Sequence, residues 1–491
     1  MNFATSLMLI GAELGLCLVA LVLLLLSAWL PRAAARVLTI AAASALAGAS
    51  IYTLALLLNG TAGPDANAFG ALLRLDAFSA VAKLLIYLST FACLVVTPSF
   101  FERRGQYRGE YPVLLLFNAV GMSLLVSATD LMTLYIGLEL SSLSSYILAS
   151  FARSDMRSAE AGLKYFILGG LASGILLYGM SLVYGFAGST NFDAIRTALA
   201  GELGTGALFG IVLVFAGLAF KISAVPFHMW TPDVYDGAPT PVTTFFAGAP
   251  KIAAVAILTR LSFSAFGEQF AAWQQIVAFV ALASIVVGAL GAIGQENLKR
   301  VLAYSSINNV GFLLIGLATG TAAGVSAMLI YLAIYAVMTL GSFVALLMLH
   351  DADGVPMETF GSIAGLAQRK PALAWALLVL MFSLAGIPPL FGFYAKLVVF
   401  QAAVDAGLIA LATVGIAASV IGAFYYIKFV KVMFFDARPS SDARAEVARN
   451  PAGHWSVLAA STVLLSPLGF LLTPAMERWA AAAASALFLT A

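Results

Sequence analysis

Charge is what this sequence has least of. Asp, Glu, Lys and Arg make up 10% of its 491 residues, against about 25% in an ordinary soluble domain. With 62% hydrophobic residues and a mean hydropathy of +1.00, too little polar surface remains to cover soluble cores. Soluble classes are excluded, and the chain reads as an integral membrane protein. A net charge of +2 without a basic block excludes nucleic-acid binding as a main role. Cysteine is nearly absent: Cys17 and Cys93 sit in separate apolar runs and cannot build an iron–sulfur or zinc cluster. The three histidines, His228, His350 and His454, are too far apart in sequence to suggest a haem or di-iron site. No GxGxxG or Walker-type loop follows a predicted strand, so nucleotide binding has no support. The N-terminal MNFATSLMLIGAELGL lacks a basic n-region and reads as a retained first span, not a cleaved signal.

What is present is apolar sequence in lengths that cross a bilayer, roughly 20 residues each. The first seven such runs are Leu7–Leu30, Val37–Leu58, Phe78–Val96, Pro112–Ala128, Leu131–Phe151, Ala161–Ala187 and Ala207–Val225. Seven more are Val242–Leu261, Trp273–Ile293, Val301–Ala318, Ala323–Leu349, Ala372–Phe400, Ala406–Phe435 and Trp455–Leu472. The expectation is an all-α polytopic membrane protein with about fourteen transmembrane helices. Sixteen of the 25 Lys and Arg, from Arg32 to Arg449, follow odd-numbered spans, and only Arg74, Arg196 and Arg260 follow even-numbered ones. The positive-inside rule then puts odd loops in the cytoplasm and both termini on the outer side.

Spans seven and twelve are each interrupted by proline, at Pro226 and at Pro388-Pro389. They lie five helices apart, and an odd-numbered repeat forces successive copies into opposite orientations. This predicts two inverted five-helix repeats, helices 4–8 and 9–13, each with a proline-broken helix, an architecture of transporters. The expected organisation is one membrane domain over residues 1–491. It divides into three N-terminal helices (1–110), a first repeat (111–262), a second repeat (272–435) and a last helix with its tail (455–491).

Charged groups inside the spans are the exceptions that need a reason, since each costs about 2.5–3.5 kcal/mol at the bilayer centre. Glu139 and Lys251 are mid-span; Lys221 precedes the break at Pro226, and Lys396 follows the break at Pro388-Pro389. Burial strips an ammonium of solvation and moves a lysine toward the range where it exchanges protons, while a nearby carboxylate reverses this. A carboxylate moving relative to Lys221 would therefore load or release a proton. Ser141, Ser142, Ser144 and Ser145 are candidates to order water around Glu139. The alternative for Glu139, Lys221 and Lys251 is a structural brace between helices. His228, in the break, is a possible relay or a partner for freed backbone. Lys428 is a possible relay, and both it and Lys83 also suit side chains snorkelling to an interface. Glu13 suits a packing or subunit contact as well as a proton role. Gly170 and Gly174 read as helix packing, and Asn59-Gly-Thr61 matches a glycosylation sequon.

The stretch Phe220-Lys221-Ile-Ser-Ala-Val-Pro226-Phe-His228-Met-Trp-Thr-Pro-Asp233-Val-Tyr-Asp-Gly-Ala-Pro239-Thr-Pro241 resembles the signature of the antiporter-like membrane subunits of respiratory complex I. Gln295-Glu-Asn-Leu-Lys299-Arg300-Val-Leu-Ala-Tyr304-Ser-Ser306 is similar to that family's tenth helix, and the resemblance covers essentially the whole chain. It implies a proton-translocating subunit of an NADH:quinone oxidoreductase in a bacterial inner membrane, with the homologous membrane subunits and the lipid bilayer as partners. FMN, iron–sulfur clusters and quinone would belong to the rest of the complex, with no cofactor in this chain. Glu139 and Lys221 would be the charge pair of a first half-channel, Lys251 the connecting lysine and Lys396 the terminal site of the second. Asn308-Asn309 stands where many relatives carry a histidine, so a proton step there would run through water or Lys396. The runner-up is a subunit of a multisubunit Mrp-type cation/proton antiporter.

Overall fold

The computed structural model describes residues 3–201, 204–351, 354–437 and 450–488. Arg438, Arg444 and Arg449, which contribute to the loop asymmetry, lie outside the described residues.

In a bilayer, backbone N–H and C=O groups must find partners within their own segment, so long apolar runs become helices. The first six are α1 (Gly11–Trp29), α2 (Ala35–Leu58), α3 (Ala77–Val96), α4 (Glu110–Ser127), α5 (Leu131–Ala149) and α6 (Met156–Ala187). The chain continues through α7 (Thr205–Ile222), the short α8 (Trp230–Gly237), α9 (Thr240–Ala247), α10 (Ala249–Ser264), α11 (Phe270–Ile293), α12 (Leu298–Ala318) and α13 (Ala322–Leu347). Last come α14 (Pro371–Ala385), α15 (Phe391–Asp405), α16 (Ile409–Phe435), α17 (Ala452–Leu465) and α18 (Thr473–Phe488). Polar residues mark the starts. Asp76 and Ser79 form a reciprocal capping box on α3, and Asp130 caps α5 by accepting from two backbone amides, each satisfying otherwise orphaned donors.

Among the described residues, 12 helical segments are long and apolar enough to cross a membrane. A thirteenth is the α17–α18 pair, bent by 71°. The run Ala372–Phe400 is not one helix. It divides into α14 and α15, each of 15 residues, at Pro388-Pro389. Proline supplies no amide donor and its ring collides with the preceding turn. Trp455–Leu472 likewise differs from expectation, because α17 stops at Ser466-Pro467 and the chain turns. A small antiparallel hairpin, Asn67–Ala68 with Leu73–Arg74, sits between α2 and α3.

α10 and α12 are almost wholly enclosed, whereas α1 and α2 expose most of their surface. The core thus surrounds the helices that carry Lys251 and Asn309. Arg260, expected in the loop after the eighth span, is inside α10 and fully buried. Its guanidinium donates to both Asp76 oxygens at 2.9 and 2.7 Å, and to the Val126 carbonyl at 3.2 Å. This clamp joins the start of α3, the end of α4 and the end of α10 on one face of the protein.

Gly170 and Gly174 pack against no other helix of this chain, since a Cβ at either would meet only open space. Neighbouring Gly169 does that work against the Tyr146 ring, as do Gly121 with Gly137 and Gly179 with Gly210 across helix pairs. One residue along a helix turns the Cβ by about 100°, so the sequence motif lies on the wrong face.

Candidate functional site

Lys221 lies in the last turn of α7, which closes at Ile222. Ser223 then takes a left-handed conformation (φ 66°), and the Val225–Pro226 peptide is cis. The freed Val225 amide donates to Ser284 Oγ at 2.9 Å, so a side chain from α11 holds the break. Lys221 Nζ donates to Ser142 Oγ at 2.8 Å and to Tyr146 OH at 3.4 Å. Ser142 lies one turn beyond Glu139 on α5, but Lys221 and Glu139 form no ion pair. Glu139 is half-buried and its Oε1 is enclosed without a hydrogen-bond partner. The neighbouring serines are engaged elsewhere. Ser141 Oγ donates to Asn118 Oδ1 at 2.7 Å, and Asn118 Nδ2 donates to Ser145 Oγ at 2.6 Å. Ser144 donates to the Leu140 carbonyl at 2.9 Å. The serine ridge thus ties α5 to α4 on one side and to Lys221 on the other.

Lys251 enters α10 just after Pro250 and is buried. Its ammonium donates to Ser306 Oγ on α12, which shares a 2.6 Å hydrogen bond with Tyr335 OH on α13. It also lies 5.5 Å from the centre of the Tyr235 ring, within cation–π range. Asn309, one turn along α12, accepts from Tyr331 OH at 2.6 Å and donates to the Ser305 carbonyl at 2.7 Å. Ser305 Oγ and Tyr426 OH are 2.5 Å apart. Hydroxyls from three helices therefore surround the amide that stands where a histidine was expected.

Lys396 lies in α15, just past the second break, and is buried. Its Nζ donates to the Ala385 carbonyl at 2.9 Å and to Ser419 Oγ at 2.9 Å. The Phe312 ring centre is 4.7 Å away. Ala385 ends α14, so the ammonium meets the negative end of a helix dipole. Gly386, at φ 79°, leaves room for it: a Cβ there would come within 2.8 Å of Lys396 Cδ.

The possible relays are placed apart from this line. His228 sits half-buried in the first break, and its Nδ1 is enclosed without a partner. Lys428 reaches Glu296 at 3.0 Å and lies 4.4 Å from the Phe360 ring centre, near the end of α16 that it was expected to snorkel toward. Lys83 does not snorkel. It is buried and pairs with Glu13 at 2.5 Å.

One charged network braces α6, α8 and α12. Asp233 accepts from Lys164 and from Arg300, both at 2.8 Å. Burial works to raise the Asp233 carboxyl, but these bonds and charges outweigh it and hold the group below its usual range. Sequence reading missed Asn118, Tyr146, Tyr331, Tyr335 and Tyr426. A weak signal existed in the i, i+4 spacing of Tyr331 and Tyr335, which sets two phenols on one helical face. Among the described residues no group of three or more His, Cys, Asp or Glu converges as a metal site.

The family model described as NADH:quinone oxidoreductase/Mrp antiporter, TM, matches residues 128–422. The NADH-quinone oxidoreductase subunit N of Erythrobacter litoralis is 62% identical over 490 residues, covering 100% of both chains. That of Sphingopyxis alaskensis is 55% identical over 483 residues, covering 98% of this chain and 99% of the relative. Among solved structures, a chain of respiratory complex I from Thermus thermophilus with bound aureothin matches with a TM-score of 0.79 at 33% identity, over 95% of this chain and 99% of that one. A chain of the Mrp complex from Dietzia sp. shares the fold, with a TM-score of 0.82 at 24% identity, over 98% and 97% of the two chains.

Proposed function

The chain belongs to the NADH:quinone oxidoreductase/Mrp antiporter transmembrane family, and on that premise we propose how its intramembrane charges work. It is a proton-translocating membrane subunit of an NADH:quinone oxidoreductase, the complex for which its subunit N relatives are named. The complex sits in a bacterial inner membrane with homologous antiporter-like subunits as neighbours. NADH oxidation, FMN, the iron–sulfur clusters and quinone reduction belong to other subunits. The chain crosses the membrane fourteen times, counting α14–α15 and α17–α18 as one span each, with both termini on the periplasmic side. Residues 111–262 and 272–435 act as inverted halves, each built around one broken helix.

The observation that carries this reading is the pair of lysines at the two breaks. Each holds its ammonium inside the protein with hydroxyl or carbonyl partners and no paired carboxylate. Such an amine gives up its proton readily, because no counter-ion stabilises the charged form. Glu139, one turn from Lys221's own partner Ser142, is the movable counter-charge. When it approaches, Lys221 holds a proton; when it withdraws, Lys221 releases one toward Lys251. Ser306 and Tyr335, then Tyr331, Asn309 and Tyr426, line the way to Lys396. Quinone reduction elsewhere would bias the two arrangements of α5 and α7. His228 and Lys428 serve as relays at the ends of the path.

Purification of the complex containing this chain, with NADH:quinone activity measured in the same fractions, tests the assignment. Co-purifying activity supports it. Sodium-dependent proton exchange without NADH would instead give the antiporter role.

A further inference from the structure

A second intramembrane ion pair lies outside that path, in the three N-terminal helices. Glu13 on α1 and Lys83 on α3 meet at 2.5 Å, with side chains 3% and 2% exposed. Their surroundings are polar in one direction. Ser123 Oγ on α4 donates to Glu13 Oε1 at 2.6 Å. The Ser123 hydroxyl has a single proton, so the 2.6 Å contact with Tyr87 is a hydrogen bond donated by the phenol. Tyr87 is four residues beyond Lys83 and shares its face of α3. The second carboxylate oxygen, Oε2, is enclosed and has no partner.

A brace alone explains this poorly. Exchanging a buried ion pair for apolar residues is often neutral or stabilising, and α1 is otherwise an apolar helix with most of its surface exposed. An unpartnered carboxylate oxygen adds a further cost. The position is telling as well. Lys83 lies about 9 Å in from the start of α3, the face that also holds the end of α4 and the Asp76–Arg260 clamp. On α4, Ser123 is five residues nearer that face than Asn118, whose amide bonds the α5 serines beside Ser142 and Lys221.

We propose that Glu13 and Lys83 form a proton-exchanging pair on a branch that leads from the Lys221 site, through α4, toward the face where α3 begins. The proposal rests on the proton-translocation reading above and adds a route to it. A proton reaching the Tyr87 oxygen displaces the phenolic proton onto Ser123, and the Ser123 proton passes to Glu13. Each hop breaks one O–H bond and makes the next, leaving both hydroxyls neutral. Protonated Glu13 no longer balances Lys83, so the ammonium releases one proton to water at that face. The carboxyl proton then crosses to the amine and restores the pair, with one proton in and one out. With the termini outside, this branch leads outward.

The test uses the assembled complex in native membranes, reading protons moved per NADH oxidised together with the uncoupled NADH oxidation rate. Glu13→Gln and the double variant Glu13→Gln/Lys83→Met are each expected to lower the proton ratio by about two-fold or more, with oxidation within about two-fold of the parent. Ser123→Ala, which leaves the pair intact but removes the hydroxyl between Tyr87 and Glu13, is expected to lower the ratio to a similar extent, and a parental ratio there would overturn the route through Ser123. The double variant removes both charges and so does not depend on tolerating one unpaired ion. If it assembles and pumps at the parental ratio, or fails to assemble at all, the pair is structural and the proposal falls. Lys221→Ala, run alongside, separates the two ideas: normal pumping there would overturn the main path itself, whereas loss there with normal pumping in the double variant removes only the branch.

Discussion

The two breaks solve one problem with different partners. At the first, Lys221 leans on α5 hydroxyls, and a half-buried carboxylate sits one turn away. At the second, Lys396 is enclosed and held by the carbonyl end of α14, Ser419 and an aromatic face, with no carboxylate paired to it. In the proposed mechanism the first lysine has a counter-charge that comes and goes. The second has only fixed partners, a helix-end carbonyl, a hydroxyl and a ring face. The backbone reflects the same division. A buried serine occupies the left-handed position at the first break, while the second demands glycine because Lys396 folds back over it. The proposed path thus has a variable counter-charge at its first lysine and an unvarying set of partners at its second.

The sharpest way to break this contrast is to remove the charges. Lys221→Ala and Glu139→Ala should each lower NADH-driven acidification by about ten-fold or more while NADH oxidation persists in uncoupled membranes; undiminished pH gradients in both would end the switched-site account. Next in size, Gly386→Ala should destabilise the assembled protein by about 1–3 kcal/mol, whereas Ser223→Gly should change stability by less than about 1 kcal/mol. Thermal inactivation of quinone reduction reads both, and equal losses would show that the two breaks are not differently constrained. Ser419→Ala should cost about 1–3 kcal/mol by depriving a buried ammonium of one partner, and Ser142→Ala less, since Tyr146 remains; detergent melting curves compare them. The smallest effect concerns the Asp233 brace. Its carboxyl is held below the usual range, so its contribution is full above about pH 4 and is lost as pH falls through the lowered value. Asp233→Asn should therefore flatten the acid limb of the pH–stability curve, and an unchanged limb would remove this group from the brace.

Much of the site was readable from sequence because charge is so sparse. Lys221, Lys251, Lys396 and Glu139 stand out in apolar runs, and the prolines announce the breaks beside two of the lysines. What could not be read depends on helix rotation and on contacts between helices distant in sequence. Lys83 looks like a snorkelling residue until Glu13, seventy positions earlier, is placed against it. Gly170 and Gly174 form a packing motif on paper, yet a turn of one residue gives that contact to Gly169. Asn118, the Tyr331 and Tyr426 that flank Asn309, and the Tyr335 beside Ser306 resemble ordinary core polarity until their hydroxyls and amides are seen to converge.

Asn309 gives the interior a property unlike that of its neighbours. A machine that stores energy as a proton difference must not short-circuit, and a continuous line of titratable groups between Lys251 and Lys396 would conduct in both directions at rest. The amide, fixed by Tyr331 on one side and Ser305 on the other, neither takes up nor gives up a proton near neutrality. On the path proposed above it would work as an insulating bead on the wire, with current passing only when a rearrangement lets water bridge the bead. Leakage across this segment would then be set by how often those hydrogen bonds open.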